Sequence, residues 1–226
     1  MKKHNLLSLA LIAILLIFNV SCGSNSESST QDDEMSETDE GSMTEVAMSV
    51  YEQDELDALF TSLAETFTTN FDKNKVSDEQ MIQFAIYTMY INDYEYFETD
   101  ESGNYAIISE QDVQSTAKYF FGKEISKNGS FQDIEYEDGI YAIPQASGES
   151  INFAKVTQLF ELGNNEFLAY FTNYSASSGW DGSITEDPSE WTGDDLPTEN
   201  GEKTAIIKLD GQNEDAHYVI LSYEDR

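Results

Sequence analysis

Residues 151–174 read INFAKVTQLFELGNNEFLAYFTNY and belong to the half of the chain whose residue pattern has the period of β-strands. Two runs rich in β-branched and aromatic residues, 151–162 and 166–174, flank Gly163-Asn164-Asn165. Such runs, separated by a short Gly/Asn turn, are typical of two antiparallel strands. The stretch therefore predicts a long β-hairpin.

Shorter hairpins are predicted on either side of the long one, each around an Asp-Gly pair. The runs are 134–137 and 140–143 around Asp138-Gly139, and 204–209 and 216–223 around Asp210-Gly211. Asp-Gly tolerates the positive φ angles of a two-residue turn. Together the runs predict one antiparallel sheet of about six strands.

Three helices are predicted ahead of these strands. Each is announced by a serine that can cap the helix and by an acid or amide three residues later that can reach back. The pairs are Ser49 with Glu52, Ser77 with Gln80, and Ser109 with Asp112, and Gly122 stands where the third helix would end. Helices gathered before an antiparallel sheet predict an α+β domain, with about three helices packed on one face of the sheet.

The N-terminal 21 residues have the layout of a secretory signal peptide. Met1-Lys2-Lys3 gives a positive head, and residues 6–20 are apolar apart from Ser8 and Asn19. At ~1.5 Å per residue this core makes a helix of ~22 Å, shorter than a ~30 Å hydrocarbon layer. A cleaved leader is therefore favoured over a permanent membrane span.

The residues Val20-Ser21-Cys22-Gly23 resemble a bacterial lipobox, although Asn19 stands where an aliphatic residue is usual. The resemblance implies that Cys22 is diacylated on sulfur and becomes the new N-terminus. It implies a protein anchored by lipid to the outer face of the bacterial cell membrane or in the cell envelope. The alternative is an ordinary signal peptide followed by a free cysteine. Because Cys22 is the only cysteine, no intramolecular disulfide can form.

The stretch 22–49 is predicted to be an acidic, disordered linker, and 50–226 a single globular domain. The linker holds eight acids and no Lys or Arg, and it has too few apolar groups to offset its ordering entropy. The whole chain has 44 Asp+Glu against 11 Lys+Arg, a formal net charge of −33. This charge repels nucleic acid and favours divalent cations, basic proteins or cationic ligands, unless it serves only solubility.

A long connection, 175–202, interrupts the predicted sheet and is the main candidate for a binding site. It carries both tryptophans of the chain, Trp180 and Trp191, together with eight acids that include Asp181 and Asp187. Such loops are usually functional or disordered. We expect these four residues to contact an envelope glycan, peptide or protein, since Trp can stack on a sugar or anchor a partner. The alternatives are a Ca²⁺ site, and tryptophans that fold back on the sheet while the acids face water.

Catalytic motifs are scarce. The sequence lacks a set of His and Cys ligands for zinc, a nucleophile elbow and a phosphate-binding glycine loop, and His217 lies on a strand-like run that favours a structural role. The favoured function is therefore a non-enzymatic binding or interaction module, with no cofactor. The alternative is an envelope glycan hydrolase using paired acids such as Asp181, Asp187 or Glu190. A hydrolase needs one acid with a raised pKa that faces another acid in a cleft.

Overall fold

The computed structural model of the protein describes residues 43–92, 97–145 and 150–226. These residues form an α+β fold with three helices and nine strands. The helices are α1 (Val50–Glu65), α2 (Asp78–Asn92) and α3 (Glu110–Phe121). The strands are β1 (Thr44–Glu45), β2 (Glu98–Thr99), β3 (Tyr105–Ser109), β4 (Glu135–Glu137), β5 (Ile140–Pro144), β6 (Ser150–Gly163), β7 (Glu166–Ser177), β8 (Thr198–Asp210) and β9 (His217–Asp225).

The three predicted helix starts are confirmed. At α1 the Ser49 hydroxyl accepts a hydrogen bond from the backbone N–H of Glu52, and the Glu52 carboxylate accepts one from the backbone N–H of Ser49. Ser77 and Gln80 make the same reciprocal pair at α2. Gly122 ends α3 with φ of +62°, a backbone conformation that glycine adopts without strain. The second helix is described as far as Asn92.

The prediction of one sheet of about six strands is wrong, because the described strands form two antiparallel sheets. Their orders are β1-β6-β7-β8-β9 and β2-β3-β5-β4. The three predicted hairpins are confirmed, but β3 pairs along β5, with Ala106 opposite Ile143. This pairing draws the β4–β5 hairpin into a separate sheet, since the partner of β5 is the strand before α3 and not β6.

The main hydrophobic core contains residues from all three helices and from both sheets, and we call it the helix-side core. Phe60 of α1 is completely buried in it and stacks on Phe171 of β7, with ring centroids 4.2 Å apart. Val156 lies directly opposite Phe171 in the β6–β7 register and belongs to the same core. Side chains along a strand alternate between the two faces of its sheet. Alternate residues of β6 and β7 are therefore left to face the other side.

The outer edge of β6 is closed by side chains of α1. The backbone N–H of Ala154 donates to the Thr61 hydroxyl over 3.0 Å, and the N–H of Val156 donates to the Asp57 carboxylate over 2.7 Å. The ammonium of Lys155 lies 3.0 Å from the same carboxylate, and both side chains are about nine-tenths buried. These contacts satisfy backbone groups that an uncovered edge strand would expose.

The sheet takes up residues ahead of the predicted domain boundary at residue 50. Thr44 and Glu45 pair with Glu161 and Phe160, and the N–H of Val46 donates to the carbonyl of Leu159 over 2.8 Å. Val46 packs against the helix-side core. The predicted leader, Cys22 and most of the predicted linker lie outside the described residues.

Candidate functional site

The two tryptophans come together in a second, smaller hydrophobic cluster, which we call the Trp cluster. It consists of Phe153 of β6, Tyr174 and Ala176 of β7, Trp180 and the half-buried Trp191. Phe153 lies opposite Tyr174, and each alternates along its strand with residues that face the helix-side core. The Trp cluster therefore lies on the other face of the five-stranded sheet.

The rings of the Trp cluster are in close contact. Trp180 stacks on Phe153 at a centroid distance of 5.7 Å with the planes 2° apart. Trp191 meets Tyr174 edge to face at 5.0 Å and Trp180 at 5.7 Å. Trp180 is only 8% exposed. The loop thus folds back onto the sheet. For the tryptophans, this is one of the alternatives that the sequence left open.

The indole N–H groups of the cluster are buried without a partner. Among the described residues, four buried side-chain polar atoms make no hydrogen bond, and two of these are Nε1 of Trp180 and Nε1 of Trp191. A buried donor without an acceptor costs about 1–3 kcal/mol. A Cβ added to Gly182 would stand 2.7 Å from Nε1 of Trp180, so the backbone of the loop lies directly against the indole.

The acids of the loop point outward. Asp181, Asp187 and Glu190 are all exposed. The Asp187 carboxylate accepts hydrogen bonds from the hydroxyl of Ser189 over 2.6 Å and from the backbone N–H of Ser189 over 2.8 Å. Asp187 thereby caps a single 3₁₀ turn at Pro188–Glu190. These bonds, with a smaller contribution from Lys155, lower the pKa of Asp187.

This arrangement argues against paired-acid hydrolysis in the loop. A general acid needs a pKa that is raised by burial, whereas Asp187 is exposed and its pKa is lowered. Burial does raise the pKa of Glu65 to about 7, and it also raises the pKa of Glu55. Both residues belong to α1 and not to the loop.

A calcium site finds no converging ligands in the described residues, where no group of three His, Cys, Asp or Glu side chains is placed to hold a metal ion. The carboxylate of Asp100, between β2 and β3, accepts hydrogen bonds from donors of the chain itself. These are the Ser102 hydroxyl and the backbone N–H groups of Ser102, Asn104 and Tyr105. They lower the pKa of Asp100 to about 2.

Two further features lie outside the loop. A groove of about 400 Å³ opens at the start of α2 and is lined by Asp78, Lys127 and Asn128 among others. The Asp78 carboxylate there is occupied by Ser126 and by the backbone N–H of Lys127. His217 is half-buried and stacks on Tyr119 of α3 at 4.3 Å.

The sequence predicted Trp180 and Trp191 as a pair, and the structure brings them together; it leaves Asp181 and Asp187 exposed around them. The sequence analysis did not predict Phe153 and Tyr174 as neighbours of the tryptophans. A signal was present, because Phe153-Ala154-Lys155-Val156 lacks a clean apolar-polar alternation. Both faces of a strand with that pattern need cover.

None of the helices in the described ranges is long and apolar enough to cross a membrane. No family model, no curated protein and no solved structure matches the chain.

Proposed function

We propose that this chain is a lipid-anchored extracytoplasmic protein whose domain is a non-enzymatic binding module. Its contact surface is the Trp cluster with the surrounding loop, and its partner is an envelope glycan, peptide or protein. The membrane is reached through lipid on Cys22.

The observation that carries the binding role is the pair of unpartnered indole N–H groups in a cluster formed by a loop. Buried polar groups in folded proteins nearly always have partners, and exceptions call for an explanation. A binding role supplies one, because a ligand atom can accept the hydrogen bond that the protein leaves open. The exposed carboxylates around the cluster add a polar rim, which is typical of interaction sites.

We further infer that α1 and α2 share the face of the five-stranded sheet opposite the Trp cluster. The apolar residues of both helices pack into the helix-side core with Val156, Ala169 and Phe171. Phe153 and Tyr174, which belong to the Trp cluster, alternate with these residues. In this arrangement the helices stabilise the sheet from one side, and the other side is left for the loop.

The binding role is tested with the double variant Trp180→Phe/Trp191→Phe, which keeps one aromatic ring at each position and removes the five-membered ring that carries the indole N–H donor. Full-length protein in detergent is used to capture partners from envelope extracts. We expect the captured set to be lost with this variant. The matched control is Tyr51→Phe/Tyr119→Phe, which removes two polar groups from exposed aromatic residues of the helices. A tryptophan-free variant that retains every partner would overturn the proposal.

The anchoring is tested by mass spectrometry of the mature N-terminus. We expect a chain that begins at an acylated Cys22 and a Cys22→Ala variant that is no longer retained by membranes. An unprocessed Met1, or a mature N-terminus without acyl groups, would contradict it.

A further inference from the structure

The loop around the Trp cluster is acidic and contains no basic residue of its own. Between Lys155 and Lys203 the sequence contains no Lys, Arg or His. Of the eight acids in 175–202, Glu202 pairs with Arg226 at 3.2 Å, and the others make no ion pair within the described part of the chain. All eight are exposed. Seven of the eight carboxylates therefore have no ion-pair partner among the described residues.

The same loop offers hydrogen-bond donors that need acceptors. Trp180 is more than nine-tenths buried, and its Nε1 lies against the backbone at Gly182. Trp191 is less deeply buried, but its Nε1 is also enclosed and unpartnered. A ligand that completes this site must bring acceptor atoms to the indoles and positive charge to the carboxylates.

Resting on the proposed function, we propose that the Trp cluster and the carboxylates of the 178–197 loop bind an extended, Lys- or Arg-rich peptide segment of a partner protein. Backbone carbonyls of such a peptide accept from the indole N–H groups, and its cationic side chains pair with the carboxylates. The half-buried ring of Trp191 can also receive a cationic side chain on its face.

Other ligand classes satisfy only part of this requirement. A metal ion brings no acceptor for the indoles, and the described acids do not converge on a point. A polyamine brings charge but has no carbonyl. A neutral glycan brings acceptors but leaves the carboxylates without a counter-charge.

Binding requires the backbone segment around Gly182 to move away from Trp180, since Gly182 lies directly against the indole. Gly182 has no side chain, and this allows the segment to lie flat against the ring. The movement would change the surroundings of Trp180. Because the chain has only two tryptophans and both lie in the cluster, its tryptophan fluorescence reports on this site alone.

The experiment is a fluorescence titration of the full-length protein in detergent at physiological salt. The probe is a ten-residue peptide of alternating Lys and Gly, acetylated at its N-terminus and amidated at its C-terminus. We expect a saturable change in tryptophan emission. Spermine, which carries charge without carbonyls, should bind at least about tenfold more weakly.

Matched charge variants locate the binding. The variant Asp181→Asn/Asp187→Asn/Asp195→Asn removes three exposed loop carboxylates. We expect about tenfold weaker peptide binding, which is the effect of losing three surface ion pairs. Glu98→Gln/Glu101→Gln/Glu135→Gln removes three exposed carboxylates from the region of the four-stranded sheet, and we expect less than about a twofold change.

Three results would overturn the inference: no change in emission with the peptide, equal weakening by the two triple variants, or spermine that binds as tightly as the peptide. Equal weakening would mean that the peptide responds only to net charge. None of these results touches the proposed binding module, which fails only if the tryptophan-free variant keeps its envelope partners.

Discussion

Phe171 and Tyr174 lie three residues apart on β7, yet they belong to clusters of different character. Phe171 packs in the helix-side core, to which three helices and two sheets contribute. At its edge strand β6, two backbone N–H groups find acceptors in the side chains of Asp57 and Thr61. Tyr174 packs in the Trp cluster, which one loop covers and in which two indole N–H groups stay unpartnered. The comparison indicates that the helix-side core stabilises the domain, whereas the Trp cluster leaves two buried donors unsatisfied at a cost in stability.

The largest effect is expected from Phe60→Ala in the helix-side core. Phe60 is completely buried and stacked on Phe171, so the substitution should lower the free energy of unfolding by about 3–5 kcal/mol. Urea denaturation is followed by far-UV circular dichroism and by tryptophan fluorescence, which reports on the Trp cluster. Both transitions should move to lower urea, since the Trp cluster rests on a sheet that this core holds.

The control for this variant is Phe67→Ala. Phe67 follows α1 and is 70% exposed, so its replacement should change the free energy of unfolding by about 0.5 kcal/mol or less. A fluorescence transition that stays in place while the dichroism transition moves in Phe60→Ala would show that the Trp cluster is independent of the helix-side core.

The second effect tests the buried ion pair between α1 and β6. Asp57→Asn keeps an acceptor for the Val156 N–H but leaves the buried ammonium of Lys155 without its 3.0 Å partner. Removing one member of a buried ion pair costs about 3 kcal/mol. Urea titration measures the loss. Asp72→Asn, which breaks the exposed Lys75–Asp72 pair, serves as control and should cost about 0.5 kcal/mol or less. Equal losses in the two variants would contradict a special role for the Lys155 contact.

The smallest effect is a pH dependence of the free energy of unfolding, caused by Glu65 of α1. Burial raises the pKa of Glu65 in the folded protein to about 7, above its ordinary value of 4.5. As the pH rises from 4.5 to 7, the unfolded carboxyl ionises while the folded one stays protonated, so the free energy of unfolding falls. Solvent reaching this half-buried group keeps the effect small.

Glu65→Gln removes that dependence. We expect the urea midpoint of the variant to exceed that of the unmodified protein at pH 8 and to equal it at pH 4. Glu101→Gln, an exposed carboxyl in a turn, should show no such difference between the two pH values. A midpoint difference of the same size at both pH values would rule out the ionisation of Glu65 as the cause.

The elements that the sequence predicted are those fixed by neighbouring residues. Ser49, Ser77 and Ser109 begin helices because the cap and its partner are three residues apart. Asp138-Gly139 turns a hairpin because both residues adopt positive φ. Which strands become neighbours is a different matter, because β3 reaches β5 across the whole of α3. No local pattern encodes that choice, and the two-sheet arrangement was missed for this reason.

The candidate site divides in the same way. The loop itself could be predicted from its length, its tryptophans and its acids. The strand residues beneath the tryptophans could not be predicted, because Phe153 meets Tyr174 through the β6–β7 register and meets Trp180 only when the loop folds back. The link between Lys155 and Asp57 joins residues 98 positions apart, which no local sequence signal reveals.

The two-residue strand β1 sets how the domain would respond to mechanical tension. A pull that arrives ahead of Met43 reaches the sheet through the pairs Thr44–Glu161 and Glu45–Phe160 and the bond from Val46 to Leu159. This attachment has far fewer hydrogen bonds than the β6–β7 pairing behind it. The β1 attachment would detach first under load. Each freed residue would then add ~3.3 Å of extended chain before any force reached α1 or the Trp cluster.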